Sequence, residues 1–355
     1  MTVRLGMVGC GFISHAHGRA AVRSGGAIAF AACCSRTAEQ AGSWAREYGC
    51  EAAYTDIAQL LAHPRLDGVV IATRPAGHAA HITACLDAGQ RFVLCEKALV
   101  TSSAAALEVL RRARAAGATI IEAWMYRHHP AFVALREEVA GLGTVDHLHA
   151  EFDMLDPARE DPEAGGWRRD PAAGGGVPFD FACYPVDAAN LLAGALPVRV
   201  IASAFTNPHH GTIDRLFGLI EYANGCVATL ASSRHASLGQ LLRVCCERGR
   251  VELPMSWNAP ADAVLTVTTS PAFLQLAQRL RRFPSAPAGE LADLPVYGLQ
   301  LGHFADVIRG RAAPAVTLAQ SVLNIIVLES LVAAGRTGSA LQIELPTGLR
   351  GPASG

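Results

Sequence analysis

Charge is what this chain of 355 residues has little of: Lys and Arg number 30, Asp and Glu 31, and the net charge is −1. Without a basic excess, neither nucleic acid nor an anionic membrane surface is expected as a partner. The ten cysteines include no CxxC and no Cys/His spacing of the zinc kind, so no metal is expected. Several sit in apolar runs, as small core residues in a reducing compartment do. No uncharged run is read as long enough for a membrane span. The N-terminal MTVRLGMVGCG reads as entering a strand directly, so no signal peptide is expected. These absences together lead us to expect a cytoplasmic protein. Half of the residues are hydrophobic in 37.2 kDa, enough for two well-cored domains.

What is present centres on Phe92–Ala98, FVLCEKA. Phe92 to Leu94 read as a buried strand, which ends in a carboxylate and an amine, Glu96 and Lys97. An open α/β sheet presents such groups to a ligand at its strand ends. A lysine there can bind, polarise or protonate a substrate oxygen. The bland alternative is a surface Glu–Lys pair capping a strand, so the rest of the chain has to decide.

Upstream, the strand Val3–Val8 runs into Gly9-Cys10-Gly11-Phe12-Ile13-Ser14 and then a helix-like segment. The first glycine serves a tight turn and the second a close backbone approach to a pyrophosphate, while Ser14 takes the packing position of a third. The phosphates would lie on the helix N-terminus. The next strand, 27–34, ends at Ser35-Arg36-Thr37 with two hydroxyls and a guanidinium in place of a ribose-binding carboxylate. That favours NADP(H) over NAD(H), with NAD(H) still possible. Strand and helix then alternate to residue 123, implying a doubly wound parallel sheet. Thr73 ends one of these strands. His78 opens the helix that follows, as a cofactor contact or as a polar helix-start residue.

From residue 124 the pattern changes. Trp124–Pro130, WMYRHHP, leads into a helix, and six period-2 segments between 145 and 253 read as a largely antiparallel sheet. Residues 156–178 read as a loop carrying Gly174-Gly175-Gly176. Asp180, Tyr184 and Asp187 follow at i, i+4 and i+7, on one face if the stretch is one helix. Residues 284–294 read as a Pro/Ala-rich loop, with helices at 298–309 and 318–334.

The whole chain resembles the Gfo/Idh/MocA oxidoreductases. Three motifs carry the likeness: GCGFIS, Cys95-Glu96-Lys97-Ala98 in place of the family's EKP, and Trp167-Arg168-Arg169-Asp170-Pro171 with GGGVPFDFACYPVD. The resemblance implies a Rossmann domain, 1–124, for NADP(H). It implies a C-terminal α/β domain, 125–345, with a large open, mostly antiparallel sheet that forms a homodimer or homotetramer. The tail, 346–355, is expected to be disordered. Lys97 would be the catalytic lysine, Asp180 its substrate-side partner, and Tyr184 the proton donor or acceptor. That tyrosine is similar to the branch holding glucose–fructose oxidoreductase, dihydrodiol dehydrogenase and sugar 3-ketoreductases. By the same resemblance Gly9, Gly11, Phe12, Ile13, Ser35, Arg36, Thr37, Thr73, His78, Glu96, Lys97 and Arg168 would contact the cofactor. Arg127, His128 and Asp187 would line the substrate pocket. Two departures stand out: Ala98 for the EKP proline and Ala182 for a glycine.

The expected reaction interconverts a secondary alcohol and a ketone on a sugar, a cyclitol or a nucleotide-linked sugar. The rivals are a catabolic aldose or dihydrodiol dehydrogenase, an NAD-retaining glycosidase, and a non-catalytic cofactor-binding regulator.

Overall fold

The computed structural model describes residues 1–161, 165–237, 239–260, 262–272, 275–283 and 295–349. They fall into two units, residues 1–128 with 295–322 and residues 129–283 with 323–349.

The first unit is built on six parallel strands: β1 (Val3–Val8), β2 (Ile28–Cys34), β3 (Ala52–Tyr54), β4 (Gly68–Ile71), β5 (Phe92–Cys95) and β6 (Thr119–Glu122), in the order β3-β2-β1-β4-β5-β6. β1, β4 and β5 are almost wholly buried, because a parallel sheet is covered on both faces and its strands read as continuous apolar runs. The crossover helices are α1 (Phe12–Arg23), α2 (Ala38–Tyr48), α3 (Ile57–Leu61), α4 (Pro75–Asp87) and α5 (Ser103–Ala116). Thr37, Asp56 and Ser102 cap α2, α3 and α5 through their side chains, each satisfying an orphan backbone N–H. Strand order runs outward from β1 on both sides, which is where a doubly wound sheet opens a crevice beyond its strand ends.

The second unit begins with α6 (Pro130–Gly141). It continues through β7 (Val145–Asp153), a π turn at Pro178–Ala182 that leads into α7 (Cys183–Leu192), and β8 (Pro197–Thr206). Then come β9 (Ile213–Tyr222), β10 (Val227–Ser233), β11 (Leu242–Cys246), β12 (Gly249–Leu253), β13 (Val264–Ala272), β14 (Gln275–Arg282) and, late in the chain, β15 (Leu341–Gln342). The nine strands order as β14-β13-β12-β11-β7-β10-β9-β8-β15, antiparallel except for β7 against β10. All six period-2 segments are strands. β13 and β14 were not anticipated. β14 is an edge strand whose side chains are nearly all exposed, three of them arginines, so it shows no apolar face to read.

One helix corrects the expected division of the chain. Residues 125–345 are not one body, because α8 (Pro295–Ile308) belongs to the first unit. Phe304 and Ile308 press on the β4 glycine Gly68, Tyr297 meets His17 of α1, and Arg309 donates to the Met1 and Ala27 carbonyls. α9 (Leu318–Thr337) lies over β8 and β9 in the second unit, with Leu331 against Gly218 and Gly335 against Ala204. Contrary to the expectation of no span-length run, α9 is long and apolar enough to cross a membrane, yet 56% of its most apolar window is buried inside the protein. The tail is also corrected in part, since Thr347–Leu349 form a 3-10 turn with Leu349 buried. The proposed loop 284–294 and residues 350–355 lie outside the described residues.

Candidate active site

In the first unit the glycine turn is cut to fit a bound phosphate. Gly9 has φ +95°, and a Cβ there would meet Thr73 Cγ2 at 2.7 Å and the Ala72 carbonyl oxygen at 2.8 Å. The strand end of β4 therefore closes directly on the turn, and only glycine fits. A Cβ on Gly11 would meet nothing within 4 Å, which leaves that side of the turn open. Gly11 caps α1 with no side-chain bond, so the first backbone N–H groups, at Phe12 and Ile13, face outward for an anion. Phe12 is 66% exposed beside them. Ser14 is buried and donates to the Gly11 carbonyl at 2.6 Å, locking the turn from below. These features fit a dinucleotide.

Farther out, Ser35 donates to Gln40 Oε1 at 2.6 Å, and the Gln40 amide donates to the Cys10 carbonyl at 2.9 Å. Ser35 is thereby tied to the glycine turn rather than left open. Thr37 spends its hydroxyl on capping α2. Arg36 is exposed just beyond the end of β2.

Lys97 follows β5 and is half-buried, in a segment held at every residue around it. Glu96 meets the buried His17 Nε2 at 2.9 Å. The Lys97–Ala98 peptide is cis although no proline follows the lysine. His78 lies wholly buried, its Nδ1 2.9 Å from the Ala98 carbonyl and its Nε2 3.0 Å from the Thr73 carbonyl. Burial pushes its pKa down, against the carbonyls of Thr73 and Ala98 that pull it up. His78 is thus engaged on backbone within the fold and is no cofactor contact. Glu122, also buried, accepts from the Leu99 N–H at 2.7 Å and the Trp124 indole N–H at 3.0 Å.

Arg127 is buried and donates to the Ala315 carbonyl at 3.4 Å. The His128 ring lies 5.0 Å from that of His303, tilted against it, and burial, His303 and Arg127 together lower its pKa to about 4. A neutral imidazole and a buried guanidinium therefore stand where substrate contacts were expected.

The second unit has its own cluster. The carboxylate of Asp180 accepts from Arg168 Nε at 2.8 Å and from Arg234 Nη2 at 3.0 Å. Arg234 is buried, lies over the Phe181 ring and reaches Asp156, which Arg169 grips with one nitrogen on both oxygens at 2.6 and 2.7 Å. Gly175 makes this possible: a Cβ there would come within 2.5 Å of the Trp167 carbonyl. Within the expected loop, Trp167–Arg169 and Pro171–Ala173 form short 3-10 turns pressed on the glycine run. Arg168 keeps its side chain 50% exposed while bound to Asp180. Tyr184 is packed between the rings of Phe152, 5.2 Å away, and Trp257, 5.8 Å away.

Asp180 sits in the π turn, and Tyr184 and Asp187 sit in the α7 helix that continues it. Asp187 is wholly buried and accepts from Asn324 of α9 at 2.6 Å, in a chain that continues through Asn190 to the Tyr222 hydroxyl. It secures α7 against α9 and lines no substrate pocket. The sequence reading missed His17, Glu122 and Arg234. The last two were visible by the signal that found Lys97, since each is a charge placed where an apolar strand ends.

Residues 3–123 match the oxidoreductase family with an NAD-binding Rossmann fold, and residues 132–252 match the GFO/IDH/MocA C-terminal domain. A D-xylose 1-dehydrogenase (NADP(+)) of Haloferax volcanii is 30% identical over 88% of this chain and 92% of its own length. The chain belongs to the Gfo/Idh/MocA family. Another member, the mouse trans-1,2-dihydrobenzene-1,2-diol dehydrogenase, is 29% identical over 65% of this chain and 68% of its own. The fold recurs in a levoglucosan dehydrogenase in complex with NADH, with a TM-score of 0.86 at 19% identity over 98% of this chain and all of that one. It recurs also in a 3-ketoreductase from Actinomadura kijaniata with NADP, with a TM-score of 0.81 at 21% identity over 95% of this chain and 98% of that one. As a Gfo/Idh/MocA oxidoreductase this chain is an enzyme that binds NAD(P) in its first unit.

Proposed function

We propose that this Gfo/Idh/MocA enzyme is an NADP(H)-dependent oxidoreductase that interconverts a secondary alcohol and a ketone on a sugar-like substrate. The observation that carries the reading is Lys97, half-buried at the end of β5 in a fully braced segment beside the strand that closes the glycine turn. Gly9, Gly11 and the open first turn of α1 hold the pyrophosphate, and Arg36 at the end of β2 supports the preference for a 2′-phosphate. The bound nicotinamide supplies the hydride chemistry. Lys97 hydrogen-bonds the reacting oxygen, Tyr184 exchanges its proton, and Asp180 fixes the polar surroundings through Arg168 and Arg234.

A second reading, a catabolic aldose or dihydrodiol dehydrogenase, is favoured by the names of the two relatives above. It uses the same residues in the oxidative direction. We also expect a homo-oligomer. Ile201, Phe205 and Phe217 stay exposed on the sheet face opposite α9, and an apolar patch of that kind suits a partner copy. All ten cysteines are free thiols, in keeping with a cytoplasmic placement.

The test is nicotinamide absorbance with aldoses, dihydrodiols, cyclitols and keto-sugar nucleotides, each with NADP(H) and NAD(H). Lys97→Ala and Tyr184→Phe should each lower kcat by roughly 10²–10⁴-fold. Undiminished turnover in Tyr184→Phe would remove the proton role from that residue.

A further inference from the structure

The segment that carries Lys97 is fixed by groups that never reach the solvent. Ala98 and Leu99 are both wholly buried, so each of their backbone polar groups needs a partner inside the protein. The Leu99 N–H has the carboxylate of Glu122. For the Ala98 carbonyl the imidazole of His78 stands 2.9 Å away, in a fully buried contact. The other nitrogen of the same ring faces the Thr73 carbonyl, but Thr73 is partly exposed and that contact only partly buried. A neutral imidazole carries one N–H and can donate to one of the two oxygens. The Thr73 carbonyl can be served by water; the Ala98 carbonyl cannot.

We propose that His78 is a positioning residue for the reaction: its Nδ1–H donates to the Ala98 carbonyl and fixes the backbone immediately after Lys97, while the ring spans to the β4 end that closes on Gly9. The role rests on Lys97 acting as the catalytic lysine. Its geometric content is a chain of direct contacts: Gly9 packs on Thr73 and Ala72, Thr73 faces His78, and His78 holds Ala98. Displacement at the last contact moves the amine rather than the cofactor turn. A loss of grip should therefore appear in the chemical step and leave cofactor affinity alone.

Two amide substitutions separate the contacts, because an asparagine amide falls near the Nδ1 position and a glutamine amide near the Nε2 position. His78→Asn keeps a donor for Ala98; His78→Gln keeps one for Thr73. With the substrate found by the absorbance panel, His78→Gln should lower kcat by about 10–100-fold, the scale set by misplacing a reacting group by an ångström. His78→Asn should stay within about threefold of the parent on that scale. In both variants KM and the fluorescence-titrated Kd for NADPH should be unchanged, and the Tm of the two should be alike. Equal kcat in the two variants overturns the proposal, as does a loss that follows Tm. Full activity in Lys97→Ala overturns the reading of the lysine itself, and the positioning role with it. Loss in Lys97→Ala together with equal His78 variants overturns only the positioning role.

A further arm needs no variant to fold. Long-range ¹H–¹⁵N correlation of the histidine rings in the parent protein should show His78 as the Nδ1–H tautomer. The Nε2–H tautomer would overturn the proposal whatever the kinetics.

Discussion

Lys97 and Asp180 are the two groups on which the proposed chemistry depends, and the protein restrains them in opposite ways. The lysine segment is held on its backbone by His78 at the Ala98 carbonyl and Glu122 at the Leu99 N–H, with His17 meeting the Glu96 carboxylate beside them. Asp180 is held side chain to side chain by two guanidiniums, with Asp156 and Arg169 extending the charge chain. A backbone clamp grips the segment without drawing on the charge of the lysine amine. An ion-pair clamp uses up the carboxylate's charge and turns it into a fixed feature of the wall. The difference suggests that Lys97 works on the substrate directly and Asp180 by shaping what surrounds it.

The ion-pair clamp should break with the larger cost. Arg234→Met keeps the bulk over Phe181 but takes from the buried Asp180 its buried guanidinium, leaving the half-exposed Arg168 in place. Removing one partner of a buried pair costs about 3–5 kcal/mol, to be read from urea unfolding. A cost below about 1 kcal/mol, the range of surface pairs, would mean that Arg168 alone secures the carboxylate.

Acid should sort the two clamps next. In the first unit burial lowers the pKa values of His78, His81, His128 and His303, with His128 at about 4. These rings are neutral in the folded protein, whereas in the unfolded chain they take up protons near pH 6.5. The unfolded state thus binds more protons between pH 6.5 and 4. Stability should be full above 6.5 and fall as pH drops through that window. His128→Phe should flatten the fall by about 1–3 kcal/mol between pH 7 and 4.5, measured by denaturant titration at each pH. An unchanged slope would show that His128 titrates freely in the fold.

The same contrast explains how much could be read in advance. Five of the six parallel strands were legible because burial on both faces makes runs such as β4 and β5 uninterruptedly apolar and because Gly9 and Gly11 mark the turn by necessity, whereas the three-residue β3 was too short to read. Lys97 was legible as a charge that ends such a run. His78 was visible but misassigned, since nothing in the sequence says whether a histidine at a helix start turns outward to a cofactor or inward to a carbonyl. In the second unit the helical reading of Asp180, Tyr184 and Asp187 did not foresee the π turn that carries Asp180, because a single extra residue per turn leaves no compositional mark. Arg234 lies 54 residues from Asp180, and one sequence offers no pairing rule at that distance. The assignment of α8 to the first unit is a matter of which apolar face it covers, and α8 and α9 look alike on that score.

The smallest effect is the most informative about the backbone clamp. Glu122→Gln keeps an acceptor for the Leu99 N–H but replaces a carboxylate by an amide, and the amide's N–H₂ cannot accept from the Trp124 indole. If the carbonyl oxygen turns toward Leu99, the lysine segment stays in place and only the indole bond is lost. The expected cost is then about 1 kcal/mol in urea unfolding, that of one ordinary hydrogen bond, with kcat nearly unchanged. Should kcat fall well beyond that while stability barely moves, the negative charge of Glu122 would be acting on Lys97 through space. The lysine would then be held by charge as Asp180 is, and the contrast between the two clamps would fail at its first member.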